Sequence, residues 1–158
     1  MKQARYVVHS MLIPLRGEPL ILPCAAVAEI VPCPRPERVD GSPEWWLGNI
    51  PWRGRTIAVV SFESACGGAG VSEPPAHVAV MNGQTGHSEL SFYAIAIKSI
   101  PRLLKVDDKT LTPQDPEAIR NPLVLARVLV KGEPALIPDL LALEDKLAAG
   151  SAALSATA

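Results

Sequence analysis

The residues best able to do chemistry are three cysteines, Cys24, Cys33 and Cys66, and three histidines, His9, His77 and His87. Thiolates and imidazoles bind zinc or act together as nucleophile and base. Zinc ligands come in closely spaced pairs, whereas Cys24 and Cys33 are separated by eight residues and the histidines follow no ligand pattern. Cys66, beside Gly67-Gly68, is the candidate nucleophile, with His77 or His87 as its base. A small thiol hydrolase would need that pair within hydrogen-bond reach in a pocket, and spacing alone does not set that. The glycine run opens no helix and is therefore no phosphate loop. No cofactor and no metal follow, and structural or surface roles are the prevailing reading of the cysteines and histidines.

The elements that would hold such residues are constrained by composition. The chain has 158 residues, 48% of them hydrophobic, and a net charge of −1 without blocks of like charge. It can bury a sizeable core, and nucleic acid and anionic membrane are poor partners. A barrel that binds nucleic acid would need an exposed basic groove with aromatics, and only 4% of the residues are aromatic. Sixteen prolines disfavour long helices and favour many short strands. An odd cysteine count points to a reducing compartment. The apolar run Tyr6–Leu15, broken by His9, Ser10 and Pro14, reads as a strand and not as a signal peptide. No apolar stretch approaches the ~20 residues that cross a bilayer. The expectation is a cytoplasmic protein.

Along the chain, Arg5–Leu15 and Leu20–Leu22 form a hairpin across Arg16-Gly17-Glu18-Pro19. Ala25–Val31 has helical spacing, with Val27, Ile30 and Val31 on one side. Ser42-Pro43-Glu44 signals the start of a short helix that presents Trp46 and Leu47 and ends at Gly48. Residues 67–75 are a linker between lobes at about 15–66 and 76–130, with 1–14 and 131–147 packing against them. Strands follow at Val78–Met81 and Leu90–Ile97, then an extended Ile100–Val106 and a loop over Leu111–Asn121. A second hairpin joins Leu123–Val130 to Ala135–Ile137, and a helix covers Leu140–Leu147. Residues 148–158 read as a frayed Ala/Ser tail. Residues 15–23 and 130–138 echo each other as base-Gly-Glu-Pro hairpins, which suggests one hairpin per lobe; chance similarity is the plainer reading.

The centre of this organisation is Trp45–Phe62, which holds every tryptophan in the chain, a tight Arg53-Gly54 turn and then a strand apolar on both faces. Ile57 and Val59 point one way, and Ala58, Val60 and Phe62 the other. Such a stretch suits a binding centre better than a solvated loop.

Val27-Ala28-Glu29-Ile30, Trp46-Leu47-Gly48 and Trp52-Arg53-Gly54, in this order before an apolar strand, resemble the CheW-like adaptors of bacterial chemosensory arrays. The departures are Ala58 for the usual Pro, Ser61 for the usual Asp, and Tyr93–Lys98 without its Asp. Gly132–Leu147 is similar to the family's closing hairpin and Leu-rich end. The Pro-rich, free-standing form resembles the type IV pilus (twitching) adaptors of the ChpC or PilI sort. The resemblance implies an all-β fold of two intertwined five-stranded SH3-like barrels in one domain. It implies no enzyme but a scaffold, bridging the regulatory domain of a CheA-type histidine kinase and a chemoreceptor tip that lies in an apolar groove between the barrels. Val27, Glu29, Gly48, Trp52, Arg53 and Gly54 match its partner-contact positions. Each has a plainer role: Val27 as core, Gly48 as a helix C-cap, Glu29–Arg53 as an ion pair that only stabilises. Trp52 is a candidate partly exposed anchor, Trp46 reads as core, and Trp45 would join the interface if exposed.

Overall fold

The computed structural model describes residues 7–68, 70, 73–86, 90–115 and 121–156. The strands are β1 Val8–Ile13, β2 Leu20–Pro23, β3 Val27–Pro32, β4 Trp46–Trp52, β5 Arg55–Val60, β6 His77–Asn82, β7 Phe92–Ile97, β8 Arg102–Val106, β9 Leu111–Pro113, β10 Val124–Val130 and β11 Glu133–Pro138. A 3₁₀ turn spans Cys24–Ala26, and two helices, α1 Phe62–Ala65 and α2 Leu140–Ala156, complete the chain.

Two sheets result. One runs β8-β1-β2-β11-β10-β9, the other β3-β6-β7-β5-β4. Both curl round so that their edges are tied. The edge strands β8 and β9 of the first are joined by a turn in which Thr110 N–H donates to Asp107 O at 3.1 Å. In the second, Glu37 and Asn49 exchange backbone hydrogen bonds of 2.9 and 2.8 Å and tie the chain after β3 to β4. The Glu37–Asn49 bridge covers the β4 edge of the second sheet.

Strand alternation then fills three cores. Leu12, Ile21, Val106, Val128, Val130 and Ala135 line the inside of the first sheet. Ile50, Ile57, Val59, Val78, Val80 and Ala94 line the second. Their alternating neighbours, Ile13, Leu20, Val60, Ala79, Tyr93 and Ile95, meet with Leu140, Leu143 and Leu147 of α2 in a core shared by both. A strand buried on both faces is apolar at every position, which explains Ile57–Val60.

The sheets do not follow the lobes drawn at 15–66 and 76–130. Each takes strands from both segments, and the first carries a sixth strand, β9, where a loop was expected. The echoed hairpins are not one per lobe either. Both lie in the first sheet, with β2 and β11 side by side and Leu136 N–H donating to Pro19 O at 2.9 Å. Their turns also differ: Lys131 and Gly132 have φ of 49° and 86°, whereas Gly17 has no positive φ. The geometric twin of Lys131-Gly132 is Arg53-Gly54, in the other sheet.

Four local expectations fail for identifiable reasons. Residues 27–32 form a strand; a bulge at Ala28 puts Val27 and Ile30, three apart, on the same face and imitates helical spacing. Ser42 does not cap a helix, because its hydroxyl donates back to Val39 O at 2.6 Å, and Trp46 opens β4 instead. Phe62 opens α1 rather than ending the strand; Ser61 caps that helix by accepting from Ser64 N–H at 3.2 Å. The proline count misleads for α2, which runs 17 residues and takes in residues 148–156 of the tail expected to fray. A Cβ added at Gly150 would lie 3.4 Å from the Trp45 ring, so this glycine lets the ring lie close. Leu154 reaches Gly41. Packing and alanine propensity carry the helix onward.

Tyr93 is wholly buried in the shared core, and its hydroxyl has no hydrogen-bond partner. Burial, then the charge of Glu144, push its pKa far up, so the neutral form is favoured in the fold. A raised folded pKa gives stability that is present below the unfolded value of about 10 and lost as pH rises above it. Tyr93→Phe is therefore expected to leave stability at neutral pH unchanged or higher by up to about 1 kcal/mol. It should also flatten the alkaline fall above about pH 10, read from urea midpoints at both pH values. A marked loss at neutral pH would show that the hydroxyl has a partner.

Candidate partner-binding site

The Trp52-Arg53-Gly54-Arg55 turn joins β4 to β5 across two residues. Arg53 has φ 47° and Gly54 φ 74°, the positive pair of a type I′ turn, whose twist suits a hairpin. Glu29, on the opposite edge strand β3, fixes it. One carboxylate oxygen, Oε2, accepts from Trp52 Nε1 at 3.2 Å and from Arg53 Nε at 3.0 Å, and it lies 2.9 Å from Arg53 Nη2 as an ion pair. The two edges of the five-stranded sheet are thus joined by side chains. Sequence reasoning paired Glu29 with Arg53, and the structure makes that pair.

Arg53 is 69% exposed and Glu29 35%. Such an ion pair is worth at most about 1 kcal/mol, so its value is to position. The Arg53 guanidinium sits 5.2 Å from the Trp52 ring centroid, Trp52 meets Phe92 at 4.8 Å, and Arg55 covers Phe92 at 5.2 Å. Two arginines laid over two rings form a preset, cationic and aromatic surface, the composition typical of interface anchors.

The other expected residues separate. Gly54 sits in the open, with nothing within 4 Å of an added Cβ. Val27 is half-buried against the shared core. Gly48 is neither a helix cap nor a bare surface. It is buried in β4 beside a bulge at Leu47, and its own chain covers it. An added Cβ would lie 2.6 Å from Glu37 O, at φ 141°. Gly48→Ala is expected to cost on the order of 2 kcal/mol in a denaturant titration. Unchanged stability would show that residues 36–37 move away freely. Trp46 is core, and its Nε1 donates to Asn49 Oδ1 at 3.1 Å. Trp45 is covered rather than offered: α2 lies on it, with Lys146 Nζ 5.5 Å from its ring.

The residues of a second, apolar surface went unnamed in the sequence. Leu22, Ala25, Leu125, Ile137, Leu141 and Gln84 line an apolar groove of about 530 Å³ where β2, β10, β11 and α2 meet. Leu125 is 64% exposed and Leu141 51%. The available signal was the pair Leu140-Leu141. Successive helix positions point about 100° apart, so a helix with one buried face needs only one of them.

The sequence matches the CheW-like domain family over residues 9–147. The chain belongs to the CheW-like family. Its structure is similar to that of the scaffolding protein TtCheW from Thermoanaerobacter tengcongensis, with a TM-score of 0.69 and 16% identity over 85% of this chain and 90% of that one. No curated protein matches the sequence. The paired SH3-like sheets of this CheW-like chain follow from fold and family together, and the family is one of scaffolds.

Burial holds two thiols of this CheW-like domain back from the thiolate form. Burial pushes Cys33 up to about 11. Burial also raises Cys66, with Lys146 opposing and Glu63 adding. A nucleophile needs the reverse. His87, one proposed base, lies outside the described residues. Among the described residues no group of His, Cys, Asp and Glu gathers to hold a metal ion. No described helix is long and apolar enough to cross a membrane.

Proposed function

We propose that this CheW-like chain is a non-catalytic adaptor that couples chemoreceptors to a CheA-type histidine kinase, in the cytoplasm at receptor arrays. The turn at Trp52-Arg53-Gly54, held by Glu29, meets the kinase's regulatory domain. The groove of Leu22, Ala25, Leu125 and Leu141 receives the helical hairpin tip of the receptor, whose apolar ridge would cover the two exposed leucines. Val27 lies at the start of β3, next to Ala26 of the groove wall. The observation that carries this reading is the exposed Arg53–Trp52 turn, held by two hydrogen bonds and an ion-pair contact to one carboxylate oxygen. A surface so rigidly preset is suited to docking, because little side-chain entropy is lost when a partner arrives.

The groove is tested by Leu141→Asp. Leu141 is half-exposed, so the fold should survive. Affinity for a receptor hairpin fragment should fall at least about tenfold, as when an apolar anchor is lost, with kinase affinity unchanged. Unaltered receptor binding would remove the groove from the proposal.

A further inference from the structure

Among the described residues, Glu144 is the one charged side chain that is wholly buried. It stands on α2 in the stripe Leu140, Leu143, Glu144, Leu147, spaced as the apolar face of a helix. A leucine would suit that position, and a buried carboxylate is costly unless it is hydrogen-bonded. Its Oε1 accepts from Gln84 N–H at 2.7 Å, from Thr85 N–H at 3.2 Å and from Thr85 Oγ1 at 3.3 Å. Its Oε2 is buried and without a partner. The same β6–β7 connection is gripped from the other side: Gly83 N–H donates to Ser91 O at 2.8 Å, with no room for a Cβ. Gln84 in turn lines the groove, as do Leu140 and Leu141 from the helix that carries Glu144.

We propose that Glu144 is a positioning residue for the groove: it fastens residues 84–85 to α2 and so sets the wall that Gln84 presents to a docked helix. This rests on the groove being the receptor site. It makes α2 and residues 83–85 one unit, so groove width depends on a contact that the docked helix never touches.

The test compares Glu144→Gln, which keeps an acceptor oxygen, with Glu144→Leu, which completes the apolar stripe and keeps none. Leu141→Asp serves as the direct groove lesion. Glu144→Gln should bind a receptor hairpin fragment within about twofold of the parent, and Glu144→Leu about tenfold more weakly, the scale of a lost charge-assisted hydrogen bond. Kinase affinity should stay unchanged in both, and amide exchange at residues 84 and 85 should quicken only in Glu144→Leu. If Glu144→Leu binds normally while Leu141→Asp does not, the Glu144 role is overturned and the groove stands. If Leu141→Asp also binds normally, the groove reading falls and this role with it. Should Glu144→Leu not fold, exchange in the unaltered protein decides. Protected amides at Gln84 and Thr85, outside any strand, support the clamp, and fast exchange there overturns it.

Discussion

Arg53→Glu is expected to lower affinity for a CheA-type regulatory domain by roughly 10–100-fold while leaving the circular dichroism spectrum native. The change reverses a charge that is 69% exposed, sets a second carboxylate against Glu29 and removes the cation from the Trp52 ring. None of these touches the core. The turn already holds a non-glycine residue at φ 47°, so glutamate adds little backbone strain of its own. The stability loss should stay within about 1 kcal/mol, the scale of an exposed pair. Calorimetric titration with the kinase domain measures the first effect, and a urea melt the second. Wild-type affinity would leave Arg53 a local brace, and a collapsed melt would make it structural. Combining it with Glu29→Arg separates the two parts of the effect. Recovery of binding would mean that the turn's geometry matters most; continued loss would mean that the partner reads the guanidinium itself.

Gly83→Ala should have the largest effect on folding, on the order of 3–5 kcal/mol, enough to unfold a domain of ordinary marginal stability. An added Cβ would lie 1.9 Å from Leu90 O and 3.1 Å from Ser91 O. Both atoms are backbone at the entry to β7, and Ser91 O already accepts from Gly83 N–H. Relief would require β7 to withdraw from β6, with which it pairs along its whole length. Gly54→Ala is the control: its φ of 74° strains an alanine, yet nothing lies near its Cβ, so it should cost only about 1 kcal/mol. Equal denaturation midpoints for the two variants would contradict this account of Gly83.

Much of this was legible because strands declare themselves locally. The 130–138 hairpin, the strand at 78–81 and the doubly apolar Ile57–Val60 appear as read, and the strand expected at 90–97 begins at Phe92. The Glu29–Arg53 pair was legible from the resemblance to the CheW-like family, whose turn Arg and Val-x-Glu-Ile acid these residues match. What was not legible depended on register. A bulge at Ala28 made a strand look helical, and a bulge at Leu47 lies beside Gly48, which is buried under Glu37. The lobe boundary was misplaced because each sheet draws strands from distant parts of the chain, a non-local choice that composition does not encode. α2 was cut short at Leu147 because Ala/Ser sequence resembles a tail; Trp45 and Gly41, about a hundred residues earlier, provide the surface that orders it.

The central claim is that two separate surfaces serve two partners at once. The direct measurement is sedimentation of the intact chain with a CheA-type regulatory domain and a receptor hairpin fragment, each alone and then together. The account predicts two binary complexes and one ternary complex, with Arg53→Glu deleting only the kinase and Leu141→Asp only the receptor. Binding of either partner that excludes the other, or binding of neither, would contradict it.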